Sequence, residues 1–256
     1  MAAPALSGHA LPGQNKRRTG GMIKAILFDF GQTLVNSADG FKQAEKQAQA
    51  WIRTDLFGDE QGCRQESAFM DVYRRTRKDF HNRSIFSRPA MWAKVFHHFN
   101  HTADPVRLEK KESRYWETVK AYTRPFPETL PVLQQLAESY PLALITNTQG
   151  QKQTGTHRIA LFPEIERFFK TIIVAGESGI PAKPDKTPFL SGVKELGVEP
   201  DQAVYVGDDW RIDIQGSQAA GLHPVWLKHY RVHRNWPKVD SIVPVITGLA
   251  QLPEHI

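Results

Sequence analysis

The feature that most constrains the fold is a series of short apolar segments that end in polar residues and alternate with helical patterns. Residues 23–28 form the first segment, and Asp29 follows it. Four later segments of the same character span 142–145, 172–175, 203–206 and 224–227, with helical patterns at 128–139, 189–196 and 214–220. Strands that alternate with helices indicate parallel pairing through crossovers. The sequence therefore predicts an α/β protein with a doubly wound, Rossmann-like parallel sheet.

Residues 37–124 follow a different pattern. Their apolar side chains recur at helical spacing, as Phe69, Val72 and Tyr73 do, and no strand pattern interrupts them. Asp104 is expected to cap a helix that begins at a proline. The sequence thus predicts a helical cap domain at 37–124, made of four helices, and an α/β core domain made of 22–36 and 125–256. An insertion directly after the first strand stands at the ligand-binding edge of the sheet, where lids are found.

Composition narrows the class of protein. The hydrophobic content of 40% and the charged content of 23% are ordinary for a soluble globular chain, and the single cysteine cannot form an internal disulfide. No apolar stretch approaches a membrane span, and no signal-peptide core precedes the first strand. We expect a cytoplasmic protein without membrane contact. Residues 1–21 are expected to be a disordered tail, and Met22 is an alternative start.

The net charge of +6 lies mostly in the tail and in 37–124. A basic region of this kind attracts small anions or is simply solvated, and binding of nucleic acid is the least favoured interpretation.

Polar residues end three of the predicted strands. Asp29 ends the first, Thr146 ends the segment 142–145, and Asp208 with Asp209 ends the segment 203–206. Lys183 lies in a loop rich in glycine and proline. Because parallel strands bring their carboxyl ends to one edge, we expect all of these groups to converge. Such a grouping is difficult to explain by stability and predicts a site of chemistry.

These residues occur as four ordered motifs. They are Asp29-Phe30-Gly31-Gln32-Thr33, then Leu144-Ile145-Thr146-Asn147, then Lys183-Pro184-Asp185, and finally Gly207-Asp208-Asp209 with Asp213 downstream. In this order and spacing, the chain resembles the haloacid dehalogenase-like hydrolase superfamily across nearly all of 22–250. The position and helical content of the insertion resemble that superfamily's type-one cap, and the core resembles its phosphatases.

The resemblance implies a role for each motif. Asp29 would attack phosphorus to form an aspartyl-phosphate, Lys183 would keep that carboxylate ionised, and Thr146 would bind a phosphoryl oxygen. Backbone N–H groups of Phe30, Gly31 and Asn147 are further expected phosphate donors. The resemblance also implies Mg²⁺, held by the Asp29 and Asp208 carboxylates and the Gly31 carbonyl. Asp209 and Asp213 are expected to support the metal through water or to orient Lys183.

Gly31 departs from the family pattern, which has a second aspartate there. In the phosphatases that aspartate protonates the leaving oxygen and then activates water. General acid–base catalysis contributes about 100- to 10,000-fold. Three explanations stay open: the leaving group needs little protonation, a cap histidine replaces the acid, or the enzyme is slow and vestigial. The candidate histidines are His81, His97 and His98.

The predicted function is a Mg²⁺-dependent phosphatase that acts on a small phosphorylated metabolite through an aspartyl-phosphate. Possible cap contacts to an anionic substrate are Arg74, Arg77, Arg83, Arg88 and Lys94. One alternative is a non-catalytic binder of a phosphorylated ligand. Another is a metal-independent dehalogenase, which the acidic pair Asp208 and Asp209 disfavours. A phosphonatase would need a reactive cap lysine, for which Lys42, Lys46 and Lys94 are candidates. The sequence indicates neither the substrate nor the oligomeric state.

Overall fold

The computed structural model describes residues 22–147 and 157–256, with the backbone alone for 59–64. In chain order the strands are β1 (Ala25–Phe28), β2 (Val35–Asn36), β3 (Arg124–Pro125), β4 (Leu142–Asn147), β5 (Phe169–Ala175), β6 (Ala203–Gly207), β7 (His223–Leu227) and β8 (Val245–Ile246). The α-helices are α1 (Ala38–Arg64), α2 (Glu66–Asn82), α3 (Arg88–His98), α4 (Pro105–Tyr122), α5 (Thr129–Ala137), α6 (Pro163–Glu166), α7 (Thr187–Leu196) and α8 (Gln215–Ala219). The predicted tail, residues 1–21, lies outside the described residues.

Six strands form one sheet in the order β5-β4-β1-β6-β7-β8, and every pairing in it is parallel. The predicted α/β class and doubly wound sheet are therefore confirmed. The strand β5 begins at Phe169, earlier than the apolar pattern suggests, because its first residues include the polar Lys170 and Thr171, and its pairing with β4 is irregular there. The strand β8 was not predicted, since a two-residue strand leaves no period to detect.

Helices cover both faces of the sheet, as the alternation of side chains along β1 requires. Ile26 and Phe28 point into one hydrophobic cluster, which α5 and the C-terminal 3₁₀ helix (Leu249–His255) complete. Ala25 and Leu27 point into the opposite cluster with residues of α7. Both faces of β1 are buried, so its residues are apolar throughout. Asp29, the first polar residue after the strand, lies at the carboxyl edge of the sheet.

The helices α1 to α4, named here the helical insert, pack around a hydrophobic core of their own. Its largest fully buried side chains include Trp92, Tyr73 and Tyr115. Asp104 caps α4 as predicted, since its Oδ1 accepts a hydrogen bond of 3.0 Å from the Val106 amide. The helix α1 runs further than its apolar pattern suggested and is interrupted at Gly58, where φ is +67°.

Two crossing segments connect the helical insert to the sheet. The short strands β2 and β3 pair antiparallel at this crossing, and neither was predicted. Immediately beside them, the buried hydroxyls of Ser37 and Thr123 lie 3.0 Å apart. The pairing places the helical insert over the carboxyl edge of β1. Among the described residues, no helix has both the length and the hydropathy that a membrane span requires.

Candidate active site

The ammonium group of Lys183 is the centre of the candidate site. It donates hydrogen bonds to Asp29 Oδ1 at 2.8 Å and to Asp213 Oδ1 at 2.7 Å. The Tyr205 hydroxyl at 2.8 Å and the Ile145 carbonyl at 3.0 Å also lie within hydrogen-bonding distance and share its remaining N–H group. The side chain is 1% exposed. Its partners come from the ends of β1, β4 and β6 and from the turn after β6, so the predicted convergence at one sheet edge is present in the structure.

Three carboxylates crowd this edge. Asp29, Asp208 and Asp213 are buried, and each offers an oxygen within 4.8 Å of the others. The approach is possible because Gly207 has no side chain: a β-carbon there would collide with Asp213. The Asp213 carboxylate is fixed further by the Asp209 amide, which donates to its Oδ2 at 3.0 Å.

The charges of the site perturb one another. Burial disfavours the ammonium form of Lys183, but the Asp213 and Asp29 carboxylates outweigh burial and raise the lysine's pKa. Burial raises the pKa of Asp213 to about 6, against the lowering effect of Lys183. Burial also raises the pKa of Asp208, while Arg234 opposes the rise. A divalent cation would relieve this crowding of carboxylates, and oxygen ligands of this type are those that Mg²⁺ prefers, so the residues present fit a bound Mg²⁺.

The second motif supports the lysine as well as facing the cleft. Thr146 is buried at the end of β4 and lines the cleft beside Asp29. Asn147, which follows it, exchanges two hydrogen bonds with the backbone of Lys183, one of 2.9 Å to the carbonyl and one of 2.8 Å from the amide. Its side chain therefore holds the lysine loop against β4. In the first motif, the Thr33 hydroxyl donates to Asp29 Oδ2 at 3.3 Å.

Asp209 lies next to these three carboxylates, but its own side chain makes different contacts. Its Oδ1 accepts hydrogen bonds from the amides of Arg211 and Ile212 and so caps the turn Trp210–Ile214. The guanidinium of Arg234 lies across the pair, in ion pairs with Asp208 Oδ2 and with Asp209 Oδ2. Sequence reasoning missed Arg234, because nothing local marks one basic residue of the segment between β7 and β8.

The cap histidines separate into two groups. His81 lines the cleft together with Asp29 and Gly31. His97 and His98 are exposed in the last turn of α3 and do not line the cleft. Burial lowers the pKa of His81, with a partly opposing effect from Asp209. The three candidate lysines for a Schiff base, Lys42, Lys46 and Lys94, are exposed and lie outside the cleft as well.

A buried arginine that sequence reasoning missed also lines the cleft. Arg158, in the 3₁₀ helix Arg158–Leu161, is 3% exposed and donates a hydrogen bond of 2.8 Å from Nη1 to Ser37 Oγ. Tyr205 was missed too, although an inward-facing tyrosine in an otherwise aliphatic strand is a weak signal of a hydroxyl partner. Arg158 carries no such signal, and Ser37, to which it donates, lies 121 residues away in the chain.

The cleft has a volume of about 360 Å³ and lies between the sheet edge and the helical insert. A second cavity of about 410 Å³ opens within the insert and shares four lining residues with the cleft: Arg77, His81, Phe86 and Arg88. Arg74 and Lys78 line this insert cavity as well. Arg83 and Lys94, two of the five predicted substrate contacts, line neither space.

The profile of a hydrolase family, the haloacid dehalogenase-like hydrolases, matches residues 23–221 of this chain. The chain therefore belongs to the haloacid dehalogenase-like hydrolase family. The prediction of an enzyme of this superfamily is confirmed, and the six-stranded parallel sheet is consistent with it.

Individual related proteins extend the comparison. The chain is 30% identical to a glyceraldehyde 3-phosphate phosphatase of Methanopyrus kandleri, over 87% of this chain and 91% of that protein. It is 28% identical to a phosphoglycolate phosphatase of Shigella sonnei, over 81% and 82% of the two chains. Among solved structures, a 2-haloacid dehalogenase from Pseudomonas syringae pv. Tomato superposes with a TM-score of 0.62 at 25% identity, covering 91% of this chain and 97% of that one.

Proposed function

We propose that this protein is a Mg²⁺-dependent phosphatase in which Asp29 accepts the phosphoryl group of a small metabolite. The observation that carries the proposal is the hydrogen bond of 2.8 Å between Lys183 Nζ and Asp29 Oδ1, at the edge where Asp208 and Asp213 also lie. An ammonium group in this place pairs with the attacking carboxylate and stabilises negative charge on a phosphoryl group. The phosphatase names of the relatives support the same reaction class.

Asp29 and Asp208 would hold the Mg²⁺ with the Gly31 carbonyl, and Asp213 would support it while orienting Lys183. When bound, the cation would supply positive charge to offset the approach of one anion to another. Asp209 would support the metal ligands indirectly, because its carboxylate caps the adjacent turn and its backbone amide holds the Asp213 carboxylate. Thr146 would donate to a phosphoryl oxygen, joined by amide groups of Phe30, Gly31 and Asn147.

The helical insert acts in this proposal as a type-one cap at 37–124, over a core of 22–36 and 125–256, and its basic cavity selects the substrate. The buried Glu45 carboxylate accepts hydrogen bonds from the hydroxyls of Tyr73 at 2.8 Å and Tyr115 at 3.0 Å. It also pairs with the guanidinium groups of Arg77 and Arg88. One carboxylate thus fixes two arginines and leaves one positive charge over, facing a cavity that Arg74 and Lys78 make more basic.

This excess of charge favours a substrate with a second negative group, such as a carboxylate, held beyond the phosphate. Arginine is suited to such a group because its guanidinium forks match carboxylate and phosphate geometry.

The test is release of inorganic phosphate from an aryl phosphate and from a panel of phosphorylated metabolites, with and without Mg²⁺. We expect Mg²⁺-stimulated turnover that the Asp29→Asn variant loses by at least about 1,000-fold, because the amide cannot act as the nucleophile. The matched control is Asp240→Asn, at an exposed aspartate far along the chain, which should turn over normally. Wild-type activity in Asp29→Asn would refute the nucleophile.

A dehalogenase is the second candidate, supported by the fold and identity shared with the Pseudomonas enzyme and by the missing acid at Gly31. Halide release from a 2-haloacid without added metal, and no phosphate release from any substrate, would favour it. A phospho-ligand binder without turnover is the third, and Mg²⁺-dependent binding in the absence of any product would favour that role.

A further inference from the structure

The side chain that is missing at Gly31 has its place next to a buried guanidinium. A β-carbon at position 31 would lie 3.4 Å from Arg158 Nη2 and 3.8 Å from Nη1. An acidic side chain there would therefore point directly at Arg158. In this chain a cationic side chain, and not an acidic one, therefore occupies the space beside the proposed nucleophile.

Aromatic rings and a hydroxyl fix that guanidinium. Its central carbon lies 5.3 Å from the ring centroid of Phe30, 5.4 Å from that of Phe41 and 5.9 Å from that of Trp116. Ser37 accepts a hydrogen bond from Nη1 at 2.8 Å. Phe30 follows the nucleophile directly, whereas Phe41 and Trp116 belong to the helical insert. The guanidinium is thus held between the sheet edge and the insert, where it lines the cleft together with Asp29 and Gly31.

Arg158 is charged in this place and interacts with the nucleophile. Burial lowers the pKa of its guanidinium to about 10, against the raising effect of Asp29 and Tyr115, so the group keeps its proton at neutral pH. A guanidinium of this kind is a poor general acid. It is a strong hydrogen-bond donor to an oxyanion, and the aromatic surroundings strengthen the interaction because they exclude water.

We propose that Arg158 is a catalytic residue that stabilises the departing oxygen of the substrate as an anion, in place of the acid that Gly31 lacks. The inference rests on the proposed phosphatase function. Asp29 forms a bond to phosphorus, the bond from phosphorus to the leaving oxygen breaks, and its electron pair stays on that oxygen. The N–H groups of Arg158 hydrogen-bond this oxyanion, which takes a proton from solvent after departure if it takes one at all. Water then attacks phosphorus, the bond between phosphorus and Asp29 breaks with its electron pair returning to the carboxylate, and the protons of the water stay on the released phosphate or pass to solvent.

The mechanism defines a class of substrate. Because the leaving oxygen departs without a proton, turnover is fastest for a leaving group that is already a stable oxyanion, although the hydrogen bond from Arg158 contributes most where the oxyanion is basic. Acyl phosphates, whose leaving group is a carboxylate, belong to this class, as do phosphates of acidic enols and phenols. A carboxylate leaving group also fits the paired N–H donors of the guanidinium. A simple alcohol phosphate is a poorer substrate, since its alkoxide needs a proton as it leaves.

The test measures kcat/KM for a series of aryl phosphates that differ in leaving-group pKa, for the wild type, Arg158→Lys and Arg158→Gln. Removing one donor to a developing oxyanion costs about 100- to 1,000-fold. We expect a loss of this size in Arg158→Gln for the most basic phenols and a loss below about tenfold for the most acidic ones. The dependence on leaving-group pKa therefore becomes steeper. Arg158→Lys should lie between the two. The matched control is Arg167→Gln, at an exposed arginine nine residues further on, which should follow the wild-type line.

A merely structural arginine would reduce kcat/KM equally for every leaving group. A parallel line for Arg158→Gln, or an unchanged one, overturns the inference, while loss of turnover in Asp29→Asn would still support the phosphatase. If both Arg158 variants fail to fold, Ser37→Ala takes their place, since it removes the hydroxyl that positions Nη1, with Thr123→Val as the control for the loss of the Ser37–Thr123 contact. A smaller steepening in Ser37→Ala supports the inference, and a parallel line contradicts it.

Discussion

Lys183 is the residue on which the geometry of the cleft depends, because one ammonium group joins the nucleophile, a neighbouring carboxylate and the carbonyl of β4. Neither its placement nor its charge is a local property of its loop. The placement comes from Asn147, whose amide side chain binds both backbone groups of the lysine. The charge is maintained by Asp213 and Asp29 in spite of burial.

Replacing Asn147 with alanine removes both of those hydrogen bonds. We expect kcat to fall by about 10- to 100-fold with a smaller change in KM, because a displacement of the order of 1 Å in a catalytic group has effects of this size. Steady-state kinetics on an aryl phosphate measures the change. Asn82→Ala, at an exposed residue of α2, is the control. An Asn147→Ala enzyme with unchanged kcat would show that the lysine loop holds its position without Asn147.

Restoring the missing acid should not restore efficient acid catalysis. In Gly31→Asp the new carboxylate lies against Arg158, and the resulting ion pair lowers the carboxylate's pKa, so that it remains ionised and cannot protonate a leaving group. We expect kcat on alkyl phosphates to rise by no more than about threefold. The rates on acidic leaving groups should fall, since the carboxylate neutralises the guanidinium. A 100-fold gain on alkyl phosphates would contradict this account.

At the scale of elements, the parallel sheet supplies the proposed nucleophile and the groups around it, and the helical insert supplies the basic cavity. Arg211, after β6, connects the two: its guanidinium donates to the Ser84 hydroxyl at 2.8 Å and to the His81 carbonyl at 2.7 Å. The insert therefore contacts the core beside the cleft as well as at its stem. Substrate selection should follow changes in the insert, and metal binding should follow changes at the sheet edge.

Arg77, the more exposed of the two arginines that pair with Glu45, tests the role of the helical insert. Arg77→Gln removes one positive charge from the wall shared by the cleft and the insert cavity. We expect KM for a phosphorylated carboxylic acid to rise by about three- to tenfold, while KM for an aryl phosphate without a second charge stays within twofold, in keeping with about 1 kcal/mol for a partly exposed charge contact.

Arg75→Gln on the same helix is the control for this change, because the side chain is exposed and its Nε donates to the Asp71 carbonyl of its own helix. An equal rise in KM for both kinds of substrate would indicate a general loss of structure or charge and would contradict selection by Arg77.

The segment between β7 and β8 reaches the proposed metal site through Arg234, which pairs with Asp208. A cation that binds Asp208 competes with this guanidinium. We therefore expect Arg234→Gln to lower the Mg²⁺ concentration for half-maximal activity by several-fold. A Mg²⁺ titration of phosphate release measures it, with Arg231→Gln, an exposed neighbour, as the control. A higher Mg²⁺ requirement in Arg234→Gln would show that the arginine positions Asp208 for the metal and does not compete with it.

What could be predicted from sequence follows from the range of the interactions involved. The positions of Asp29, Thr146 and Asp208 at strand ends were predictable, because each follows an apolar run along its own segment. Arg158 and Arg234 were not, because Ser37, which accepts a hydrogen bond from Arg158, lies 121 residues away in the chain, and Asp208, which pairs with Arg234, lies 26 residues away after a different strand. The short strands β8, β2 and β3 could not be predicted for a related reason, because two residues are too few to show the alternating pattern of a strand.

At the scale of the whole molecule, the buried carboxylates of the site link metal binding to stability and to pH. The pKa of Asp213 is raised to about 6 and that of Asp208 is raised as well, so the folded protein without metal holds protons there that the unfolded chain would release at lower pH. Between the ordinary aspartate pKa and the raised value, stability of the metal-free protein should fall as pH rises. Metal binding must displace these protons.

Mg²⁺ should therefore stabilise the protein more at about pH 7.5 than at about pH 5.5, where protons compete for the ligands. Thermal unfolding at both pH values, with and without saturating Mg²⁺, measures the effect as a rise in Tm. The rise should disappear in Asp208→Asn. An equal rise at both pH values, or one that persists in Asp208→Asn, would show that the ion binds elsewhere.

The central claim is that Asp29 becomes covalently phosphorylated during turnover. The most direct measurement is rapid acid quenching of the wild-type enzyme during turnover of a phosphoryl-labelled substrate with Mg²⁺, followed by mapping of the labelled peptide. The account predicts a phosphoryl group on the peptide that contains Asp29, lost when the quenched protein is treated with base. Phosphate release with the label on any other residue, or turnover that leaves the protein unlabelled at every quench time, would contradict it.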